Sequence, residues 1–172
     1  MRLLFVGGST RAGSTNSAAL HAALELVPDE VETELHERLA ELPHFNPDAD
    51  HDPLPPAVVE LRAAIERADA VVFCTPEYAG TLPGSFKNLL DWTVGGAEMY
   101  GKPAAWINVA PEGRGGGADA TLRTVLGYVG AQILPASGTR VTVPRGALDD
   151  AVRAQLAQVL AAIVTEADPD VR

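Results

Sequence analysis

A single cysteine, Cys74, in 172 residues leaves this chain no intrachain disulfide and no cysteine-cluster metal site. Histidine is scarce too: His21, His36, His44 and His51 show no His-x-x-x-His spacing on one helix face, so no metal site is expected. Basic residues are outnumbered, 13 Lys and Arg against 23 Asp and Glu, for a formal net charge of -10. That balance argues against nonspecific binding to nucleic acid or to an anionic membrane. Any anion site must therefore be a local positive focus. No apolar run is long enough to cross a bilayer. Met1-Arg2-Leu3 leads straight into an apolar stretch with no signal-peptide h-region and cleavage site, which makes the cytoplasm the expected compartment.

What is present reads as globular: 47% of the residues are hydrophobic and 21% charged, at a length suited to one domain, 1–172, with a real core. No internal repeat interrupts it. Leu3-Leu4-Phe5-Val6 is the kind of uninterrupted apolar run expected of a central parallel strand covered on both faces. It opens into Gly7-Gly8-Ser9-Thr10-Arg11-Ala12-Gly13-Ser14-Thr15-Asn16-Ser17. A helix is predicted to begin near Ser14 to Asn16 and to run through Ala18, Leu20, Ala23, Leu24 and Leu26 until Pro28 stops it. A strand turning directly into a helix N-terminus offers free amides and the positive end of the helix dipole to an anion. Hydroxyls at Ser9, Thr10, Ser14, Thr15 and Ser17, with the guanidinium of Arg11, suit a phosphate monoester. The plainer alternative is a tight turn with a serine N-cap. The loop is neither a Walker A sequence nor Gly-x-Gly-x-x-Gly, and it lacks the cysteine nucleophile of a phosphatase loop.

The remainder alternates strands and helices, which implies parallel β-α-β units with ligands gathered beyond the strands' carboxyl ends. Val31 to His36 alternates like an outer strand. The proline- and aspartate-rich stretch 42–56 has no period, so it is either a wall of the site or a mobile surface excursion. A helical pattern through Ala57, Val58, Leu61, Ala64 and Ile65 precedes a strand at 70–74, where Cys74 reads as a small buried hydrophobe. After the turn residues 75–84 comes a helix over about 85–94, with Lys87 and Asp91 spaced for an ion pair. Glu77 is a capping or ion-pairing residue on one reading and a general base on another. A strand at 102–110 leads into Pro111-Glu112-Gly113-Arg114-Gly115-Gly116-Gly117-Ala118, either a close-approach wall or a surface turn. A helix over 118–130, a last strand near 137–143 and an amphipathic helix over 148–164 follow, with Pro169 closing the pattern.

Two of these stretches carry a family resemblance. The first loop resembles the Gly-Ser-x-Arg-x-x-Ser-x-Asn loop of the NADPH-dependent FMN reductase family through Gly8, Ser9, Arg11, Ser14 and Asn16. The second resembles that family's Pro-Glu-Tyr-Asn-x-x-x-Pro-Gly-x-x-Lys-Asn-x-x-Asp-Trp stretch through Pro76, Glu77, Tyr78, Pro83, Gly84, Lys87, Asn88, Asp91 and Trp92, with Ala79 in place of the usual asparagine or histidine. The resemblance implies an α/β, flavodoxin-like three-layer sandwich with a five-stranded parallel sheet, and an FMN-binding domain spanning the chain. It implies FMN contacts at Ser9, Arg11, Ser14, Thr15, Asn16 and Ser17 for the phosphate. Pro76, Glu77, Tyr78, Ala79, Gly80 and Thr81 would lie along the isoalloxazine, and Gly113, Arg114, Gly115 and Gly116 would form a third wall, with Arg114 drawn to the NADPH phosphates. The 42–56 stretch would border the flavin or a subunit interface, and Trp92 would serve packing or a subunit contact. The implied reaction is hydride transfer from NADPH or NADH to FMN and onward to flavin, quinone, azo or metal-oxyanion acceptors, in a homodimer or homotetramer. Because the cofactor carries that chemistry, no catalytic side chain is assigned. A flavodoxin-type electron carrier without nicotinamide chemistry is the alternative, and a phosphatase-like hydrolase a more remote one.

Overall fold

Leu3, Leu4, Phe5 and Val6 are all fully buried, and the cause is position: β1 (Arg2–Gly7) has a parallel neighbour on each side and helices over both faces. The computed structural model describes residues 1–144 and 147–168. Its elements run β1, α1 (Thr15–Leu26), β2 (Glu32–His36), α2 (Pro56–Arg67), β3 (Ala70–Cys74), α3 (Gly84–Asp91), β4 (Pro103–Asn108), α4 (Gly116–Tyr128), β5 (Gln132–Ile133), β6 (Thr139–Arg140) and α5 (Asp150–Ala167). The sheet order is β2-β1-β3-β4-β5, with β6 also on β4 and every pair parallel. The register sets Val6 beside Phe73, and Phe73 beside Trp106.

Strand alternation divides the core in two. Leu3, Phe5, Val72 and Ile107 face α1 and α5, packing on Leu20, Ala23, Leu156, Leu160 and Ile163. Leu4, Val6, Val71, Phe73 and Trp106 face α2, α3 and α4, packing on Leu61, Ile65, Phe86, Leu89, Leu122 and Leu126. This is the flavodoxin-like sandwich. Its chain reversal lies between β1 and β3, where the crevice of such a sheet forms. No helix among the described residues is long and apolar enough to cross a membrane.

The fifth strand differs from expectation. In place of one strand near 137–143, β5 and β6 are separate two-residue pieces on the same edge of β4. Gln132 and Ile133 pair with Pro103 and Ala104, and Thr139 and Arg140 pair with Ile107 and Asn108. The intervening residues 134–138 exceed what that length of β4 can match, and the surplus loops out in a turn closed by Ser137 N–H to the Leu134 carbonyl at 3.0 Å. Pro135 cannot donate to a ladder, so the break falls there.

Helix limits shift as well. α3 stops at Asp91, and α4 takes in Gly116 and Gly117. α5 starts at Asp150 behind an N-cap at Asp149, whose carboxylate accepts from Val152 N–H at 2.9 Å. Pro169 lies outside the described residues. The 42–56 stretch is tied to the rest of the fold by hydrogen bonds and an ion pair. Its Pro43 carbonyl accepts from Trp92 Nε1 at 2.8 Å and Asn88 Nδ2 at 2.9 Å, while Phe45 N–H donates to Asn88 Oδ1 at 2.7 Å. Phe45 makes a T-shaped contact with the buried Trp92, and Asp50 pairs with the partly buried Arg62 at 2.6 Å. Trp92 is thus a packing residue.

Candidate functional site

The first loop is built as a helix cap with amides to spare. Ser14 Oγ accepts from Asn16 N–H at 3.1 Å and Ser17 N–H at 3.3 Å, and Ser9 Oγ accepts from Arg11 N–H at 3.2 Å. The amides of Thr10, Ala12, Gly13, Ser14 and Thr15 meet no protein acceptor among the described residues. Gly8 lets this loop touch the next, because a Cβ there would lie 2.4 Å from the Cβ of Thr75. Asn16, largely buried, accepts from the Cys74 thiol at 3.4 Å. Cys74 is fully buried at the end of β3 and outside the first loop, and burial pushes its thiol up to about 12, which argues against a cysteine phosphatase.

The second loop is a two-residue hairpin. Tyr78 and Thr81 exchange backbone hydrogen bonds of 2.9 and 3.0 Å around Ala79 (φ 51°) and Gly80 (φ 77°). Both central residues are left-handed, the geometry for which Asn-Gly is the preferred pair. Glu77 turns away from the hairpin and caps α4, accepting from Gly117 N–H at 2.7 Å and Ala118 N–H at 3.2 Å. The N-cap of α4, Gly115, has no side chain to do this. Gly117 is required by the approach itself, since a Cβ there would lie 2.0 Å from the Gly80 carbonyl oxygen. The glycine-rich segment therefore serves a junction between two loops as well as a turn into the helix.

The third loop, beyond β4, is pinned from below and from the side. Asp119 accepts from Trp106 Nε1 at 2.9 Å and Asn108 Nδ2 at 2.8 Å, and Asn108 Oδ1 accepts from Ala110 N–H at 2.9 Å. Arg140 donates to the carbonyls of Ala110, Pro111 and Arg114 at 2.7, 2.8 and 2.8 Å. These contacts leave Arg114 facing the opening between loops.

Of the expected residues, Thr15, Asn16, Pro76, Glu77, Arg114 and Gly115 line one cleft of about 320 Å³, together with Thr75, Val109, Ala110, Pro111 and Val143. Ser9, Arg11, Ser14 and Ser17 line an adjoining depression of about 470 Å³, walled also by His21 and Glu37. Tyr78, Ala79, Gly80, Thr81, Gly113 and Gly116 line neither, and Tyr78 stands half exposed at the rim. Thr75 and Val109 to Pro111 could have been found from their places just past strand ends. Val143, His21 and Glu37 carry no such signal.

The charges around the cleft are selective. Arg2, Arg38, Arg62, Arg67, Lys87 and Arg153 all form ion pairs. Lys102 and Arg140 donate to backbone carbonyls, and Arg123 lies over the Trp106 ring. Among the described residues that leaves Arg11, whose guanidinium reaches only the Gly13 carbonyl at 3.5 Å, and Arg114, whose side chain has no protein partner. Among the described residues of this acidic chain, the two cations with no ion pair, no ring contact and no side-chain hydrogen bond beyond their own loop are thus the two at the site. No group of His, Cys, Asp and Glu among the described residues is arranged to hold a metal ion.

A family model described as NADPH-dependent FMN reductase matches residues 1–141. The chain is 36% identical over 174 residues to an NAD(P)H-dependent FMN reductase of Pseudomonas aeruginosa, covering 95% of this chain and 93% of that one. It is 35% identical over 128 residues to a quinone reductase of Pseudomonas putida, covering 72% and 68%. Among solved structures it is similar to FerB, a flavoenzyme NAD(P)H:(acceptor) oxidoreductase from Paracoccus denitrificans, with a TM-score of 0.81, 30% identity and 96% of each chain covered. By the match over residues 1–141 and the near full-length identity, this chain belongs to the NADPH-dependent FMN reductase family.

Proposed function

We propose that the chain is a single FMN-binding domain that oxidises NADPH or NADH and reduces flavin, quinone, azo or metal-oxyanion acceptors at the same cleft. The observation carrying this reading is a pair of arginines without an ion-pair partner, Arg11 and Arg114, beside amides that no protein group claims. Such a cradle fits a phosphate monoester: Ser9, Ser14, Thr15, Asn16 and Ser17 supply hydroxyls and amides at the head of α1, and Arg11 supplies fork geometry. Pro76 and Glu77 on one side, with Gly115 and the Ala110–Pro111 backbone on the other, bound a slot for a flat heterocycle. When bound, FMN supplies the hydride and electron chemistry. The protein's part is to hold, orient and shield, so no side chain is assigned a proton transfer.

Arg114 is the group suited to attract the phosphates of the nicotinamide nucleotide. The electron-carrier alternative is disfavoured because aromatic residues that could sandwich a ring are missing from the cleft lining, Tyr78 standing outside it. Exposed Val94, Tyr100 and Tyr128 gather around one surface depression, which supports association of copies into a homodimer or homotetramer. The test is titration of the apoprotein with FMN, followed by anaerobic mixing of the loaded protein with NADPH or NADH. Flavin bleaching with either nucleotide is expected. Binding of FMN without bleaching would leave the carrier, and no FMN binding would end the reading.

A further inference from the structure

His21 stands on α1, one turn beyond Ser17, and shares the wall of the first-loop depression with Arg11. Its Nε2 lies 3.0 Å from Glu37 Oε2, on the segment that follows β2. A carboxylate only accepts, so the imidazole donates from Nε2 and its orientation is fixed from behind. Glu37 is itself held close against the end of β1, because a Cβ on Gly7 would meet its Cγ at 3.1 Å. Its second oxygen, Oε1, is buried and has no hydrogen-bond partner. An anion so placed beside a phosphate cradle would repel the ligand unless a cation stands between them. His21 is the side chain bonded to Glu37 there.

We propose that His21 is a second side-chain contact for the phosphate of the flavin, and that with Arg11 it makes the site select FMN over riboflavin. The inference rests on the FMN reading above. Glu37 is the positioning residue: it holds the imidazole through Nε2, and a ring protonated on both nitrogens then has Nδ1–H left to donate to a phosphate oxygen. The two side chains come from different elements, Arg11 from the loop and His21 from the body of α1. A monoester dianion placed in the depression is thereby met from two sides, and a neutral ribityl hydroxyl gains little from either.

The experiment measures the affinity of the apoprotein for FMN and for riboflavin by quenching of flavin fluorescence, in the parent, His21→Ala and His21→Arg proteins. His21→Ala is expected to weaken FMN about tenfold and to leave riboflavin unchanged, since a lost charge-assisted hydrogen bond acts on the phosphate alone. His21→Arg is expected to keep FMN affinity within about threefold of the parent by keeping a side-chain donor to the phosphate at that place. Equal weakening of both flavins, or unchanged FMN affinity in His21→Ala, overturns the inference while leaving FMN as cofactor. A parent protein that binds riboflavin as tightly as FMN overturns it also. A parent that binds neither flavin refutes the cofactor reading itself.

Discussion

Replacing Glu77 with alanine removes the carboxylate that accepts from Gly117 and Ala118 at the start of α4. The helix has no substitute, because its N-cap is Gly115 and no side chain caps it there. The loss is therefore that of a full side-chain cap, about 1 kcal/mol, plus the favourable placement of an anion at a helix N-terminus, about 0.5 kcal/mol. Glu77→Ala should thus cost about 1.5 kcal/mol in urea unfolding with an unchanged slope. Glu77→Gln keeps one acceptor oxygen and should cost about half as much. The same variant separates capping from catalysis. As a cap, Glu77→Gln keeps kcat/KM for NADPH within a few-fold of the parent, whereas loss of a general base would lower it by about a hundredfold or more. A Glu77→Ala protein destabilised by less than about 0.5 kcal/mol would refute the capping argument.

Arg11→Ala should weaken FMN binding by about 2 kcal/mol, roughly thirtyfold, and spare riboflavin, as read by fluorescence titration. Ala79→Asn should raise the urea midpoint by the equivalent of about 1 kcal/mol, because Ala79 holds a φ of 51° that asparagine tolerates. Arg62→Ala should destabilise by about 3 kcal/mol in the same assay, since it strands the partly buried Asp50 and Glu98 that flank it at 2.6 and 3.7 Å. Burial, with Arg38 adding to it, pushes the imidazole of His36 below its ordinary 6.5. Above that value both folded and unfolded chains hold it neutral; as pH falls from there towards the lower folded value, only the unfolded chain gains the proton and stability is lost. His36→Leu should therefore lose less stability than the parent between about pH 7.5 and about pH 5.5 in urea unfolding.

Local pattern carried the parts of this fold that local forces decide. The apolar runs at Leu3 to Val6 and at Ala70 to Cys74 read as buried parallel strands, and Ser14 read as a helix start, because burial on both faces and capping are written in adjacent residues. What long-range partners decide was not legible. The last strand is two pieces of two residues each, too short to show any period, and only the edge of β4 defines them. The stretch 42–56 reads as loose until Trp92 and Asn88 are seen to hold its Pro43 carbonyl. Glu77 was ambiguous for the same reason, its partners being amides 40 and 41 residues away. At the site, Arg11 stood out by its setting among hydroxyls, whereas His21 stood on a helix face that the sequence gives no cause to single out.

The seclusion of Cys74 bears on the company this protein would keep. Quinones, which stand among the proposed acceptors, are electrophiles that alkylate free thiolates. The chain's lone cysteine is fully buried, and burial pushes its thiol up, away from the thiolate that such compounds alkylate. A reductase of this make keeps its one thiol out of reach of the very compounds it is proposed to turn over.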